Sequence, residues 1–286
     1  MTRNALLESF VARLEDAHIE DARRNAEWIV EDVLGLSKAA LYAHAEVSLT
    51  GPERERGEDL LLRRLRREPI QYILGQADFM GFSLRVTPAV FIPRPETEEV
   101  VEEALRRMEE LEAPWVLDVG TGSGAIALAI KYKRPDAEVF ACDISEAALA
   151  VAAENAERLK LEVSFIHADA LDPMFAHEVS PVFDVVVSNP PYVPDGERET
   201  LQPEVRAYEP GVALFVPDYD PLRFYRSFAG HAPFLLKPGG WFVVETHEEH
   251  SEDVGRLFAD AELHDVALRN DLAGRPRIVS ARYQAN

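Results

Sequence analysis

The chain has a single cysteine, Cys142, only five lysines beside 25 arginines, and no uninterrupted apolar stretch approaching 18 residues. Each scarcity excludes something. One thiol cannot build an internal disulfide framework and fits a reducing cytoplasm. Without a long apolar run no membrane span is expected, and the opening MTRNALLESFVARLEDA lacks the apolar core and small-residue cleavage site of a secretion signal. Basic charge as a whole is in deficit: 30 Lys and Arg face 51 Asp and Glu, for a formal net charge of −21. Such a surface repels phosphates, because non-specific nucleic-acid binding depends on cationic side chains displacing counterions, so a nucleic-acid partner is disfavoured. Acid-rich, lysine-poor surfaces suit high salt, where screening suppresses self-repulsion, although GC-rich coding would favour arginine equally.

At 286 residues there is room for two domains. Residues 1–75 hold 14 acidic and 11 basic residues, so nearly all the excess negative charge falls on the remainder. In this first segment Leu6, Leu7, Phe10, Val11 and Leu14, then Ala26, Ile29, Val30, Val33 and Leu34, recur at helical spacing, with Gly51-Pro52-Glu53 as a break before another helix. A small helical bundle is expected. The cluster Arg63, Arg64, Arg66 and Arg67 reads either as a solvated face neutralised by Glu58, Asp59 and Glu68 or as a docking patch. Residues 76–95 alternate apolar and polar side chains around Gly81, which predicts a β-hairpin linker. From residue 96 onward, short β-rich runs at 115–119, 138–142, 162–166, 183–188 and 241–245 alternate with helical stretches at 125–133, 146–160 and 221–236. This alternation builds an α/β domain with a parallel, Rossmann-like sheet, whose ligands sit beyond the carboxyl ends of the strands.

The chemistry-bearing motifs fall at those ends. DVGTGSGAIA, 118–127, follows the first strand, and Gly120, Gly122 and Gly124 allow a sharp turn and close approach of a ligand to the backbone at a helix N-terminus. Asp143 closes the second strand, where a ribose-binding acid belongs. Asp169, after the third, could accept from an adenine amino group. Together these point to a nucleoside-containing cofactor without saying which one.

The fourth strand discriminates. Asp184–Ser188 is β-branched and then gives way to Asn189-Pro190-Pro191-Tyr192, in which two prolines prevent both helix and further strand pairing. A dehydrogenase needs nothing of the kind. Methyl transfer to a planar NH₂ does, because an amide or exocyclic amine nitrogen is a poor nucleophile carrying two N–H donors. If the Asn189 side-chain oxygen accepts one and the Pro190 carbonyl the other, the nitrogen is pinned with its lone pair aimed at the methyl group, and Tyr192 packs on the flat face.

QYILGQADFMGFSLRVTPAVFIPRPETEEVVEEAL, VLDVGTGSGAIALA, CDISEAALAVAAENAERL and FDVVVSNPPYV, followed by YEPGVALF, LLKPGGWFVVE and DLAGRPRIV, closely resemble the release-factor glutamine methyltransferases, the HemK/PrmC family. The resemblance spans roughly residues 70–286 and implies a class I methyltransferase sheet using S-adenosylmethionine, with the Gly-Gly-Gln glutamine of peptide chain release factors as acceptor. It implies that Gly120, Thr121, Gly122, Ser123, Gly124, Asp143 and Asn189 line the cofactor. It further implies that Asn189, Pro190, Pro191 and Tyr192 hold the glutamine, with Phe91, Pro93, Arg94 and Glu96 bordering the pocket. No metal is called for, and a monomer is expected. Two positions depart from the family pattern: ETHEEH after the fifth strand, where a Gly-containing segment is usual, and Ala170, where many relatives place an aromatic residue beside the adenine.

Alternative readings are a ribosomal-protein glutamine methyltransferase, a nucleic-acid amino-methyltransferase, a non-catalytic adenosylmethionine-binding protein and an NAD dehydrogenase. His247 and His250, three apart, lack an evident third metal ligand and read as an acidic exposed turn. Cys142 reads as core packing. Because only a ligand of the folded state raises the melting temperature, S-adenosylhomocysteine is expected to raise Tm while NAD leaves it unchanged. A differential scan with each compound checks this, and stabilisation by NAD alone would reverse the cofactor assignment.

Overall fold

Helices of the N-terminal segment begin where a side chain can accept the first free backbone N–H groups. In the computed structural model, which describes residues 1–285, Thr2 caps α1 (Arg3–Asp16). α2 (Ala22–Leu34) ends on left-handed Gly35. Ser37 caps α3 (Lys38–Ala43), and Thr50 with Glu53 closes a capping box on α4 (Gly51–Leu65), before the short α5 (Ile70–Leu74). The apolar stripes are buried as their spacing requires: Leu6, Phe10 and Leu14 pack with Ile29, Val30 and Leu61.

The predicted hairpin forms from β1 (Gln76–Phe79) and β2 (Phe82–Arg85), paired antiparallel across Met80 and Gly81, both at positive φ. It is not a free linker. Phe79 and Leu84 are buried with Val100, Val101 and Ala104, and the Asn155 side chain bonds both backbone groups of Arg85. Apolar burial thus draws the hairpin into the second unit.

That unit continues with α6 (Pro95–Arg107), β3 (Trp115–Val119), α7 (Ala125–Lys133), β4 (Glu138–Asp143), α8 (Glu146–Leu159) and β5 (Ser164–His167). There follow α9 (Phe175–Glu178), β6 (Phe183–Ser188), β7 (Val193–Pro194), α10 (Pro203–Tyr208), β8 (Phe215–Val216), α11 (Arg223–Leu235), β9 (Leu236–Glu245), α12 (Ser251–Asp260), β10 (His264–Asn270) and β11 (Pro276–Arg282). The seven-stranded sheet runs β10-β11-β9-β6-β3-β4-β5. Five strands are parallel as the alternation requires, whereas β11 pairs antiparallel with β9 and β10 with β11. β10 escapes sequence detection because HDVALRN is a half-exposed edge without clean alternation. Both sheet faces are covered: Leu117 and Val186 point into the core beneath α11 and α12, while Val116, Val185 and Val187 point to α6 and α7. The chain departs from β3 through β4 and β5, then returns to β6 on β3's other side. The strand order therefore reverses at β3.

Two compact units result: residues 1–75 with 202–208, and residues 76–201 with 209 onward. The sequence gives no hint that α10 belongs with the helical segment. Its Glu204 receives Arg64 at 3.0 Å and Arg67 at 3.4 Å, Arg64 being only 6% exposed and also bonded to Asn25. The arginine cluster divides: Arg66 is exposed and Arg63 is neutralised by Glu68, as on a solvated face, whereas Arg64 and Arg67 hold Glu204 and form no free docking patch. Burial alone would raise the Glu204 carboxyl; its backbone bond and the two arginines outweigh burial and hold it below the ordinary range. Removing one partner of a largely buried pair costs about 3 kcal/mol, so Arg64→Met is expected to destabilise the helical unit by roughly that amount in denaturant titration. Because the Glu204 pKa is depressed, the wild-type advantage holds above the unfolded carboxylate value and fades as pH falls below about 4.

Candidate active site

At the end of β3 the backbone turns back under its own strand. Asp118 is fully buried, and its Oδ2 accepts from the Thr121 hydroxyl at 2.6 Å and the Ala127 N–H at 3.1 Å. Burial pushes the Asp118 carboxyl up to about 7, against those two bonds. This acid drew no assignment from the sequence, although it opens the glycine motif. Gly122, at φ +56, has open space where a Cβ would stand, and its N–H donates to Asp143 Oδ2 at 2.9 Å. Gly124 serves differently: a Cβ there would meet Leu128 at 3.0 Å and Ala152 at 3.2 Å, so glycine lets α7 and α8 approach.

Asp143 ends β4 with both oxygens engaged, Oδ2 by Gly122 and Oδ1 by the Ser145 N–H at 2.9 Å. Each oxygen keeps a lone pair. Burial raises its pKa, with the backbone donors opposing. Beyond β5, Asp169 Oδ1 accepts the Leu171 N–H at 2.8 Å.

After β6 the Ser188 hydroxyl donates to the Val119 carbonyl at 2.7 Å, locking the two strand ends together just before the prolines. Asn189 Nδ2 donates to Thr97 Oγ1 at 3.2 Å. Thr97 in turn donates to Glu245 Oε2 at 2.7 Å, and the Tyr192 hydroxyl donates to Glu245 Oε1 at 3.0 Å. Among the described residues nothing donates to Asn189 Oδ1 or to the Pro190 carbonyl. Thr97 and Glu245 were not foreseen as site residues. Tyr192 also packs edge-on against His247, ring centres 6.1 Å apart, so ETHEEH is not simply an exposed acidic turn.

These strand ends surround a cavity of about 380 Å³. Of the anticipated residues, Gly120, Gly122, Asp143, Asp169, Ala170, Asn189, Pro190, Pro191, Tyr192 and Phe91 line it, joined by Cys142. Thr121, Ser123, Gly124, Pro93, Arg94 and Glu96 do not. Thr121 is turned inward to Asp118, Ser123 is buried with its carbonyl accepting from Asn155, and Gly124 lies beneath α8. Arg94 stacks over Phe91 at 4.6 Å and pairs with Glu209, whose other oxygen accepts the Ile92 N–H at 3.1 Å. Glu209, another residue not singled out beforehand, thereby fixes the wall that Phe91 presents. His247 and His250 engage Glu197 and Asp253 at 3.5 and 3.6 Å.

The chain matches the family described as PrmC N-terminal domain over residues 5–75 and that described as Methyltransferase small domain over residues 99–204. It is 41% identical over 269 residues to the release factor glutamine methyltransferase of Geobacter sulfurreducens, covering 94% of this chain and 92% of that one. It is 38% identical over 295 residues to the MTRF1L release factor glutamine methyltransferase of Homo sapiens, covering 97% of this chain and 86% of the relative. Among solved structures, the T. thermophilus 16S rRNA N2 G1207 methyltransferase in complex with AdoMet and guanosine aligns with a TM-score of 0.53 at 20% identity, covering 73% of this chain and 50% of that chain. That likeness concerns the fold alone. Identity near 40% along almost the whole of several relatives goes further: the chain belongs to the release factor glutamine methyltransferase family.

Proposed function

We propose that the protein methylates the side-chain amide nitrogen of the Gly-Gly-Gln glutamine in a peptide chain release factor, with S-adenosylmethionine as donor. The observation that carries this reading is the pair of acceptors, Asn189 Oδ1 and the Pro190 carbonyl, left without donors beside the cavity. A carboxamide NH₂ brings two donors and fills both.

The residues present fit the donor. A cavity of about 380 Å³ is within the range of small-molecule sites. Gly120 and Gly122 present bare backbone to it, Asp143 keeps a lone pair on each oxygen for a ribose diol, and Asp169 stands ready for an adenine amino group. Thr121, Ser123 and Gly124 serve by shaping the loop rather than by contact. When bound, S-adenosylmethionine supplies an electrophilic methyl: the C–S bond breaks as the C–N bond forms, sulfur leaves as a neutral thioether, and the methylated amide afterwards releases a proton. The protein's share is orientation. Asn189 and Pro190 hold the NH₂ plane, Tyr192 lies beside it, and the carbonyl dipoles favour positive charge growing on nitrogen.

Selecting one glutamine among all cellular glutamines requires a surface beyond the tetrapeptide. The helical unit is assigned that role, and its setting is the cytoplasm, where release factors work.

Labelled adenosylmethionine incubated with release factors, ribosomal proteins and DNA is expected to mark the Gly-Gly-Gln glutamine, and label on DNA or a ribosomal protein alone would overturn the reading. Asn189→Ala should lower kcat by about 10²-fold or more while S-adenosylhomocysteine affinity changes far less; near-normal turnover would sink the two-acceptor geometry. Asp143→Ala should weaken S-adenosylhomocysteine binding by roughly 10- to 100-fold, the worth of charge-assisted hydrogen bonds. Isothermal titration measures it, and a change confined to the protein-substrate KM would show that the ribose assignment is wrong.

A further inference from the structure

We infer that Glu245, acting through Thr97, decides which way the Asn189 amide faces, and is a positioning residue for methyl transfer. The inference rests on the proposed glutamine methylation and asks what makes Asn189 competent for it.

An asparagine amide has nearly the same shape in both of its flipped orientations. Oxygen and nitrogen exchange places at little steric cost, yet only the oxygen can accept from a glutamine NH₂. Nothing in Asn-Pro-Pro-Tyr itself settles the choice.

The settlement comes from 92 residues upstream. The only side-chain partner of Asn189 among the described residues is Thr97 Oγ1, at 3.2 Å. A hydroxyl has one proton to give, and that of Thr97 is committed to Glu245 Oε2 at 2.7 Å. A carboxylate only accepts. Thr97 therefore has only lone pairs left for Asn189, which must turn its NH₂ toward Thr97 and its Oδ1 away. The same carboxylate fixes Tyr192, whose hydroxyl donates to Oε1 at 3.0 Å. Burial holds the Tyr192 phenol far above neutral pH, so it remains a donor.

The two inner members of this chain of bonds are withdrawn from solvent, Thr97 being 4% exposed and Glu245 2%, while Asn189 and Tyr192 are half-buried at the cavity. The Tyr225 hydroxyl donates to the Glu245 carbonyl at 2.9 Å and anchors the strand end. Two further charges act on the carboxyl, Arg277 on β11 favouring its ionised form and Glu96 on α6 opposing it. Burial dominates and raises the Glu245 pKa; the Thr97 and Tyr192 bonds and Arg277 pull the other way. Protonation would place a new donor against Thr97 or Tyr192. With the acid proton donated to Thr97, the threonine proton is freed to go to Asn189, the amide turns over, and an NH₂ faces the glutamine NH₂. Activity should then be lost on the acid side, at a pH above the ordinary glutamate value of about 4.3.

The test compares Thr97→Val, Thr97→Ser and Glu245→Gln in the full-length protein, with methylation of a release factor by the wild type as the control. Failure of that control overturns the proposed function and leaves the polarity argument a separate matter. With it in place, Thr97→Val and Glu245→Gln are expected to lose roughly 10- to 100-fold in kcat/KM, the worth of a positioned hydrogen bond, while S-adenosylhomocysteine affinity stays within about twofold of wild type. Thr97→Ser, which keeps the hydroxyl, should recover most of the loss. The wild-type acid limb of kcat/KM should be absent or displaced in Glu245→Gln and retained in Thr97→Ser. The Asn189 side-chain NH₂ resonances should shift in Thr97→Val. Equal damage from serine and valine, full activity in Thr97→Val, or an unchanged acid limb in Glu245→Gln would overturn the inference. If Thr97→Val fails to fold, the acid limb in wild type and Glu245→Gln decides the matter.

Discussion

Backbone groups at the carboxyl ends of β3, β4, β5 and β6 run out of strand partners along one edge of the sheet, and the site consists of what replaces those partners. Gly120 and Thr121 both donate to the Cys142 carbonyl, Ala168 donates to the Asp143 carbonyl, and the Ser188 hydroxyl reaches the Val119 carbonyl. Buried backbone polar groups must be paired. Meeting that demand across neighbouring strand ends ties the four loops to one another before any ligand arrives. The reversal of strand order at β3 opens the space between them. Positive φ at Gly122 and the two prolines after Asn189 follow from the same constraint, since one loop must fold back tightly and the other must not continue the strand.

Three carboxyl groups stand around this edge, Asp118 and Glu245 buried and Asp143 half-buried, and their surroundings divide their roles. Asp118 lies beneath the glycine loop with one oxygen unpaired, and burial raises it toward neutrality. Its work is to hold Thr121 and the start of α7. Asp143 faces the cavity and is partly compensated by backbone N–H groups, which leaves it spare acceptor capacity. Glu245 touches hydroxyls alone and passes its polarity through them. In the proposed reaction the same functional group serves as strut, ligand acceptor and polarity reference, according to which donors reach it.

Local chemistry was legible in the sequence, and distant chemistry was not. The glycine loop, Asp143 and Asn-Pro-Pro-Tyr carry their reasons within a few residues, and the structure brings them to one cavity. Helical spacing identified the buried stripes of α1 and α2 almost residue for residue, though not the Leu60, Leu61, Ile70 and Ile73 that α4 and α5 add to the same core. Thr97 and Glu245 stand 148 positions apart, and Arg64 and Glu204 stand 140 apart, so no spacing rule could join either pair. Thr97 lies within the stretch that carries the family resemblance but has no partner nearby in sequence, and Glu245 reads there only as the end of a strand. Pro93, Arg94 and Glu96 were expected at the pocket border, with Phe91, on the family resemblance; the start of α6 turns neighbours in different directions, and of the four only Phe91 reaches the cavity. The edge strand β10 was missed for the opposite reason, since an exposed edge has no need of a clean apolar pattern.

An amide nitrogen gains little from a general base before it is methylated, because its lone pair, rather than a proton, is the obstacle. The site answers that difficulty with geometry. Near the proposed transfer point, Tyr192 is held protonated by burial, and Glu245 already accepts from two hydroxyls. Neither is free to act as a base. What the arrangement offers instead is two fixed acceptors, one of them rigid because it belongs to a proline and the other because a buried carboxylate dictates its orientation. Holding reacting atoms in place can replace several kcal/mol of barrier, but only when the holding groups are themselves immobile. On this view the bonds behind Asn189 matter to the rate for the same reason as Asn189 itself: an acceptor that can turn over presents the wrong atom for part of the time.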